Sequence, residues 1–235
     1  MVLSRGRSET EKDMKRLMGA MGALMLAMSP EAAKAQNGGK FVAPKLVSAG
    51  EIPYPMNSNS PGIATLQVNL DGNGNIQNVQ VVRDVPPLTS AAQTALQGWS
   101  FAPATKNGNG EPSSIRVTAV FNPFNPAGVA LPSPGLGPVG NGGSAPYIPA
   151  EVTAATYATY PPNSVAFGTV VLDVKIGSGG NVKNVNVVHG VASLTGTAIT
   201  AVKTWGFSPA TRNGKALESH TVVAFVYPSP AAGTQ

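Results

Sequence analysis

The side chains with the greatest capacity for chemistry in this sequence are its two histidines, His189 and His220. Imidazole titrates near neutral pH and is a frequent metal ligand, so a nearby carboxylate or second histidine would indicate acid–base or metal chemistry. The two histidines lie on different predicted elements, and neither has such a partner at ligand spacing. We therefore interpret both as solvated surface residues and predict no metal site.

The carboxylates and nucleophiles form no catalytic pattern. The acidic residues after position 35 are dispersed: Glu51, Asp71, Asp84, Glu111, Glu151, Asp173 and Glu218. Of these, Asp173 is expected on the outward face of a strand. Cysteine is absent, which excludes thiolate catalysis and cysteine-ligated metals. Because no Ser-His-Asp order, phosphate-binding loop or dinucleotide fingerprint occurs either, we predict a protein that is not an enzyme and needs no cofactor.

The net charge of +5 is spread too thinly to indicate a nucleic-acid partner. Residues 1–35 carry six basic and four acidic side chains, and the rest of the chain carries ten and seven without a run of like charges. Nucleic-acid binding is normally accompanied by a clustered basic stripe or a recognisable motif. The sequence has neither feature, so we set this class of partner aside.

Residues 1–35 have the pattern of an N-terminal extension followed by a secretory signal peptide. Lys15-Arg16 supply the positive region, the twelve residues Leu17–Met28 supply the apolar region, and Ala33-Lys34-Ala35 supply a cleavage site. Twelve residues span about 18 Å as a helix, which is short of the roughly 30 Å hydrocarbon core of a bilayer. We predict cleavage after Ala35 and a mature protein that is periplasmic or secreted.

An internal repeat organises the rest of the chain. Trp99 and Trp205 are the only tryptophans, and at the shift of 106 positions between them roughly half of residues 54–108 are matched by identical residues without a gap. Beyond this segment the match continues with a slip of two positions, which aligns Phe121 with Phe225. We infer a duplicated domain.

The duplication divides the chain into five segments. These are the extension and signal over 1–35, a first domain over 41–124, a Pro- and Gly-rich linker over 125–146, a second domain over 147–228 and a disordered tail over 229–235. The linker lacks periodicity, which is typical of an extended, flexible connection. As a random coil it would hold the two domains roughly 25–30 Å apart.

Each copy shows the same order of structural signals. In the second copy, residues 169–176 alternate apolar and polar side chains, 177–180 supply a glycine-rich hairpin turn, and 182–188 form a second strand. Leucine, alanine and tryptophan then recur at the spacing of an amphipathic helix, and a third alternating strand follows a polar loop. The order β-β-α-β predicts an α+β fold, in which each copy is a three-stranded antiparallel sheet with a helix on one face.

These motifs resemble the C-terminal domain of TonB, the energy transducer of bacterial envelopes. The shared pattern is Tyr-Pro, then G-x-x-x-L-x-V, then G-N-[IV]-x-N-V and, after the helix, W-x-F-x-P-A-T-x-N-G, and it occurs twice. The signature residues are Tyr54, Pro55, Trp99, Phe101, Pro103, Tyr160, Pro161, Trp205, Phe207 and Pro209. We interpret the tryptophans as core residues and the Tyr-Pro pairs as turn and packing elements.

The resemblance implies a periplasmic domain that binds a short peptide, the TonB box of an outer-membrane transporter, by adding it to the sheet. The third strand of each copy is the open edge expected to take this peptide. Its residues are Ile115, Arg116, Val117, Thr118, Ala119, Val120 and Phe121 in the first copy, and Thr221, Val222, Val223, Ala224, Phe225 and Val226 in the second. We therefore predict an exported protein that binds extended segments of envelope proteins.

Two other functions stay open at this point. The low surface charge leaves strand edges poorly guarded, so the two third strands are free to pair with each other or with another copy of the chain. Such pairing would make the protein a structural scaffold or a homo-oligomer. If the N-terminal segment instead stays uncleaved, it would anchor a TonB-type energy transducer of transmembrane transport.

Overall fold

The computed structural model describes residues 39–55, 58, 60–125, 136, 146–162 and 164–229. The predicted signal peptide, most of the predicted linker and nearly all of the tail lie outside these ranges. Within them, no helix combines the length and the apolar character needed to cross a membrane.

Among the residues that the structure describes, the first copy has eight strands and one helix. Its elements are β1 (Phe41–Val42), β2 (Lys45–Ser48), β3 (Gly62–Leu70), β4 (Ile76–Arg83), α1 (Leu88–Leu96), β5 (Ser100–Ala102), β6 (Ala104–Lys106), β7 (Asn109–Glu111) and β8 (Ser113–Phe121). The strands β3, β4 and β8 are the three that the alternation predicted, and α1 is the predicted helix. The short strands β1, β2 and β5 to β7 were not predicted.

The second copy repeats this order. Its elements are β9 (Tyr147–Ile148), β10 (Glu151–Ala154), β11 (Gly168–Ile176), β12 (Val182–His189), α2 (Thr195–Lys203), β13 (Gly206–Ser208), β14 (Ala210–Arg212), β15 (Lys215–Leu217) and β16 (Ser219–Tyr227). The predicted α+β class is therefore confirmed. The predicted order β-β-α-β within each copy is incomplete, because it omits the short strands.

Turn residues explain where the long strands reverse. The turn between β3 and β4 ends at Gly74, whose φ of +89° is a conformation that side chains rarely adopt. A Cβ at this position would collide with the backbone oxygen of Phe101. In the same turn, the carboxylate of Asp71 accepts hydrogen bonds from the backbone N–H groups of Asn73 and Asn75 at 2.8 and 2.9 Å. Both the backbone conformation and the carboxylate therefore favour a tight hairpin here.

The long strands of both copies join into one six-stranded sheet. Its order is β12-β11-β16-β8-β3-β4, and the central pair, β8 and β16, is parallel, with Val117 to Phe121 opposite Val222 to Val226. The residues from Gly39 onward form one compact unit. The prediction of two separate domains is therefore wrong. The strands β8 and β16 would each have an unpaired edge in a separate domain, and here each supplies the backbone hydrogen-bonding partner of the other.

The shift of 106 positions persists to the end of the third strands. Phe121 lies opposite Gly62 in the first copy, and Tyr227 lies opposite Gly168 in the second. The structural counterpart of Phe121 is therefore Tyr227. The predicted slip of two positions onto Phe225 is wrong, because it matched identical residue types, whereas the pairing register preserves the position along the strand.

The two helices lie on opposite faces of the sheet. Alternate residues of one strand point to opposite faces, and in β16 Val222 and Ala224 join the core beneath α1, whereas Val223 and Phe225 join the core beneath α2. The third strands are parallel neighbours, and the strands of the two copies follow outward from them in the same order. The copies are therefore related by a rotation about an axis parallel to these strands, and this rotation places the two helices on opposite faces. The central strands are consequently buried on both faces.

Each copy also covers strands of the other. The strand β2 pairs with β5 of its own copy and packs against β12 and β16 of the second copy. Leu46 of β2 shares one core cluster with Val171 and Val226 of the second copy. In the opposite direction, Val120 of the first copy joins the core that contains Trp205. The two copies therefore have no separate hydrophobic cores.

Candidate functional site

The strands predicted as peptide-binding edges lie in the middle of the sheet. The strand β8, which contains Ile115–Phe121, is paired with β3 on one side and with β16 on the other. The strand β16, which contains residues 221–226, is paired with β11 and β8. The prediction that these strands are open edges is wrong for the folded protein. Their pairing with each other, which the sequence left as an alternative, is the arrangement found.

We call the boundary between the two copies, where β8 and β16 pair, the seam. Further hydrogen bonds extend it beyond the paired residues. The backbone N–H of Asn122 donates to the oxygen of Val226 at 2.9 Å, and the hydroxyl of Thr221 donates to the oxygen of Arg116 at 3.2 Å. The backbone N–H of Ala158 donates to the amide oxygen of the Asn122 side chain at 3.1 Å. The seam is buried, so a peptide that replaced either strand would first have to break these bonds.

The aromatic signature residues lie in the two shared cores. Trp99 and Phe101 are 5 % and 6 % exposed, and Trp205 and Phe207 are 7 % and 9 % exposed. Both tryptophans follow the helices, since α1 ends at Leu96 and α2 at Lys203. Their burial leaves little surface for direct contact with a ligand.

The Tyr-Pro pairs occupy equivalent turns. The backbone N–H of Ser58 donates to the oxygen of Pro55, and the N–H of Ser164 donates to the oxygen of Pro161, each at 3.1 Å. Pro103 and Pro209 separate two short strands in each copy, β5 from β6 and β13 from β14.

Each tyrosine of these pairs packs edge-on against the last residue of its third strand. The ring centroids of Tyr54 and Phe121 are 5.5 Å apart, and those of Tyr160 and Tyr227 are 5.1 Å apart. Burial raises the pKa of Tyr54 and of Tyr227 to about 12. These tyrosines therefore stay neutral and support the ends of the central strands.

The outer strands of the sheet are β4 and β12. Each has one paired neighbour among the described residues, β3 and β11 respectively. Bulges interrupt the pairing near both ends, so the regular stretches are Asn78–Val81 and Asn184–Val187. Val81 and Val187 occupy equivalent positions and are 43 % and 40 % exposed. The backbone groups on the outward side of these strands are available to another strand.

A groove of about 740 Å³ lies beside one of these edges, between β12 and α2. It is lined by Asn181, Val182, Lys183, Asn184, Val185, Ile199, Lys203 and Trp205. The helix α2 packs against β11 and β12, so it forms one wall of the groove while the outer strand forms the other. The groove combines an apolar floor with two lysines and an edge of open backbone.

Both histidines have acidic partners that were not expected from the sequence. The Nδ1 atom of His220 is 2.7 Å from Oδ2 of Asp173, whose side chain is only 7 % exposed. The Nε2 atom of His189 is 3.8 Å from Oε1 of Glu51 in the first copy. The interpretation of His220 as a solvated residue and of Asp173 as outward-facing is therefore wrong. The contact between Asp173 and His220 depends on the pairing register of β11 and β16. Lys175 lies opposite His220, and Asp173, two residues before Lys175, therefore lies beside His220 on the same face of the sheet.

The side chain of Arg116 is also buried, although arginine is usually exposed. Alternation with the apolar Ile115 and Val117 is typical of a residue on the solvent face of a strand, yet Arg116 is only 3 % exposed, because the second copy covers that face. Burial lowers the pKa of Arg116 and raises that of Glu151, and the attraction between the two charges opposes both shifts. Arg116 also borders a groove of about 380 Å³ whose wall includes Tyr147.

None of these arrangements forms a recognisable catalytic constellation. In the part of the chain that the structure describes, no three histidine or carboxylate side chains lie close enough to hold a metal ion. The His220–Asp173 pair joins two adjacent strands, β16 and β11, on the face of the sheet opposite α2. The features suited to binding are instead the outer strands and the groove beside β12.

Comparison with known proteins agrees with the repeat and its motifs. The family model described as the C-terminal domain of the Gram-negative bacterial TonB protein matches residues 52–123 and 157–228. No curated protein and no solved structure matches the chain. The two matched segments together cover more than half of the 235 residues and confirm the resemblance seen in the motifs. The chain therefore belongs to the TonB C-terminal domain family, and it carries two tandem copies of that domain.

Proposed function

We propose that this chain is a protein-binding component of the bacterial envelope that takes up an extended segment of a partner on the outer strands of its fused sheet. The observation that carries the proposal is the strand order, in which β4 and β12 are outermost while the third strands occupy each other. Family membership supports a role in protein interaction. Segments of outer-membrane transporters are the partners that the resemblance implies.

The outer strands have the physical properties that strand addition needs. An added strand gains backbone hydrogen bonds along the edge, and its alternate side chains contact one face of the sheet. Val81 and Val187 offer apolar contact at equivalent places on the two edges. The bulges limit regular pairing to about four residues on each edge, which suits a short ligand and disfavours open-ended association of edges.

Hydrogen–deuterium exchange of the full chain tests this proposal. The probe is an eight-residue synthetic peptide in which valine alternates with threonine, together with the same peptide methylated on alternate backbone nitrogens. We expect the unmethylated peptide to slow exchange in β4 or β12, because new backbone bonds protect those amides. Methylation removes the donors, so the methylated peptide should not bind.

Matched substitutions locate the binding. The double variant Val81→Asp, Val187→Asp places charge on both outer strands and should weaken peptide binding at least tenfold, an effect of roughly 1.4 kcal/mol. Val47→Asp, on β2, alters a valine that is 56 % exposed but does not lie on an outer strand, so its binding should be unchanged. Equal binding of the methylated peptide, or protection confined to β8 and β16, would refute strand addition at the outer edges.

A structural role is the second candidate, and the seam between the copies favours it. The third strands bind each other instead of a ligand, and the remaining edges are free to pair with a second molecule. Sedimentation over a range of concentrations would then show dimers or larger species that the double aspartate variant abolishes. A wild-type protein that stays monomeric throughout that range would count against this candidate.

Export to the periplasm with cleavage after Ala35 is part of the proposal. Mass spectrometry of the protein from an envelope fraction determines the mature N-terminus. A chain that begins at Gln36 supports an exported binding protein. A chain that retains Leu17–Met28 in the inner membrane would instead favour a TonB-type energy transducer.

A further inference from the structure

The groove beside β12 carries charges that the equivalent positions of the first copy lack. In the second copy, Lys183 lies on the outer strand and Lys203 at the end of α2, and both side chains are exposed. Between them, Ile199 is half-buried and Trp205 is buried, so the floor of the groove is apolar. An extended segment lying along β12 would pass between two positive charges over this floor.

The duplication shows which of these features belong to the second copy alone. At the shift of 106 positions, the counterparts of Lys183, Ile199 and Lys203 are Gln77, Gln93 and Gln97. Asn181, Asn184, Val185 and Trp205 keep their identity as Asn75, Asn78, Val79 and Trp99. The first copy therefore keeps four of the residues that line the groove but differs at three positions whose side chains would select a ligand.

The turn that precedes the outer strand adds to this contrast. Asp71 of the first copy is replaced by Gly177 in the second. The carboxylate of Asp71 lies near Gln77, with 3.5 Å between its Oδ2 atom and the Nε2 atom of that glutamine. The first copy thus has a negative charge close to the position where the second copy has Lys183.

We propose that the groove between β12 and α2 selects an acidic extended segment of a partner protein, and that the first copy does not. The lysines would pair with carboxylates of the segment while its apolar side chains contact Val185 and Ile199, which line the groove and are half-buried. This inference rests on the proposed strand addition and names the chemistry of the partner for one of the two edges. The two positive lysines favour an acidic segment over a neutral or basic one, because complementary charges attract.

Glu218 is an acidic residue whose charge interacts with that of Lys183, but its direct ion pair is made with another lysine. Glu218 is bound by Lys175 at 2.6 Å between Nζ and Oε1. The pKa of Glu218 is lowered by the hydrogen bond from Lys175 and by the charges of Lys175, Lys183 and His220. Lys183 therefore contributes to the field at Glu218, but the direct ion pair is made by Lys175.

Fluorescence anisotropy of the full chain with three labelled peptides tests the inference. Each peptide has eight residues in which valine alternates with glutamate, glutamine or lysine. We expect the glutamate peptide to bind roughly tenfold more tightly than the glutamine peptide and the lysine peptide to bind most weakly, since two exposed ion pairs together give an effect of this size. Raising the salt concentration to about 0.5 M should reduce the preference, because exposed charges are screened.

Two variants of equal net charge separate the groove from the general field of the protein. Lys183→Gln, Lys203→Gln gives the second copy the residues of the first and should abolish the preference for glutamate, while binding of the glutamine peptide is unchanged. Lys45→Gln, Lys106→Gln removes two exposed lysines elsewhere and should keep the preference. Near-ultraviolet circular dichroism verifies that both variants fold.

The possible results distinguish the two proposals. If the glutamate and glutamine peptides bind wild-type protein equally well, selection by charge is refuted and strand addition stands. The same holds if both lysine variants lose the preference together, since the cause is then net charge. If none of the peptides binds, strand addition fails and the charge selection that rests on it fails with it.

Discussion

The hydroxyl of Thr169 in the second copy bonds both backbone groups of Ile52 in the first. The N–H of Ile52 donates to Oγ1 of Thr169 at 2.9 Å, and the same hydroxyl donates to the oxygen of Ile52 at 3.0 Å. Both residues are buried, with Ile52 2 % exposed and Thr169 fully covered. One side chain thus substitutes for a neighbouring strand and fastens the segment before Tyr54 onto the sheet of the other copy.

Replacing this hydroxyl by a methyl group should destabilise the whole unit. We expect Thr169→Val to lower the free energy of unfolding by about 2 kcal/mol, because a buried N–H and a buried carbonyl lose their partner while the side-chain volume is kept. Urea denaturation followed by circular dichroism measures the change. Thr200→Val is the control: its hydroxyl bonds Gly196 on the exposed side of α2, so the change should be under about 0.5 kcal/mol.

The shared sheet predicts that both copies unfold together. A Trp99→Phe background leaves Trp205 as the only tryptophan, which reports on the second copy. In that background, Leu66→Ala in the first copy should lower the free energy of unfolding measured at Trp205 by about 3 kcal/mol, since Leu66 is fully buried.

The fluorescence transition and the far-ultraviolet circular dichroism transition should also coincide, as they do for a two-state unit. Independent domains would give the opposite result: the Trp205 transition would stay in place while part of the circular dichroism signal melts earlier. That outcome would mean that the β8–β16 pairing contributes little to the stability of either copy.

An ion pair across the seam should contribute more than an exposed pair within one copy. Nη2 of Arg212 lies 2.6 and 2.9 Å from the two carboxylate oxygens of Glu111, and its guanidinium carbon lies 4.0 Å above the ring of Phe41. We expect Arg212→Met to cost about 1 kcal/mol of unfolding free energy, as lost pairing and cation–π attraction add up. The comparison is Lys175→Met, which breaks the more exposed pair with Glu218 and should cost less than half as much. Equal losses would contradict a special role for the seam.

The turn at Asp71 should make stability depend on acidic pH. The side-chain hydrogen bond from Asn75, together with backbone bonds to the same carboxylate, lowers the pKa of Asp71 below its ordinary value of 3.8. A lowered pKa in the folded state adds stability above the unfolded pKa, and that stability is lost as pH falls through the folded value. The stability difference between wild type and Asp71→Asn should therefore be constant from about pH 7 to 5 and shrink below about pH 4.

Denaturation curves measured across that range test the assignment. Asp84→Asn, which changes an exposed acid outside the turn, serves as the control. A difference between wild type and Asp71→Asn that grows towards low pH would be of the wrong sign for a carboxylate with a lowered pKa.

Much of each copy could be predicted because its signals are local. The alternation of residues 169–176, the turn glycines and the helical spacing that includes Leu88 and Ala92 each depend on neighbours along the chain. The short strands β1, β2, β5, β6 and β7 were missed, because two to four residues carry no periodicity. The polar loop expected before the third strand contains Asn107 and Gly108, which form the hairpin between β6 and β7 at φ of +55° and +85°.

The site predictions failed where they depended on which strands lie side by side. Arg116 and His220 occupy positions that alternation alone assigns to a polar surface. The other copy covers one of them, and an adjacent strand brings Asp173 to the other. The sequence of a single repeat contains no information about a second repeat packed against its outer face.

By itself, the sequence determined the duplication, the family and the elements of each copy, because repeats, periodicity and turn residues are local properties. Only the tertiary structure decided which strands are edges. Every residue offers nearly the same backbone donor and acceptor, so the pairing of Ala119 with Ala224 depends on the approach of segments more than a hundred positions apart. That pairing turned the expected binding edges into the centre of the sheet and left β4 and β12 as its open sides.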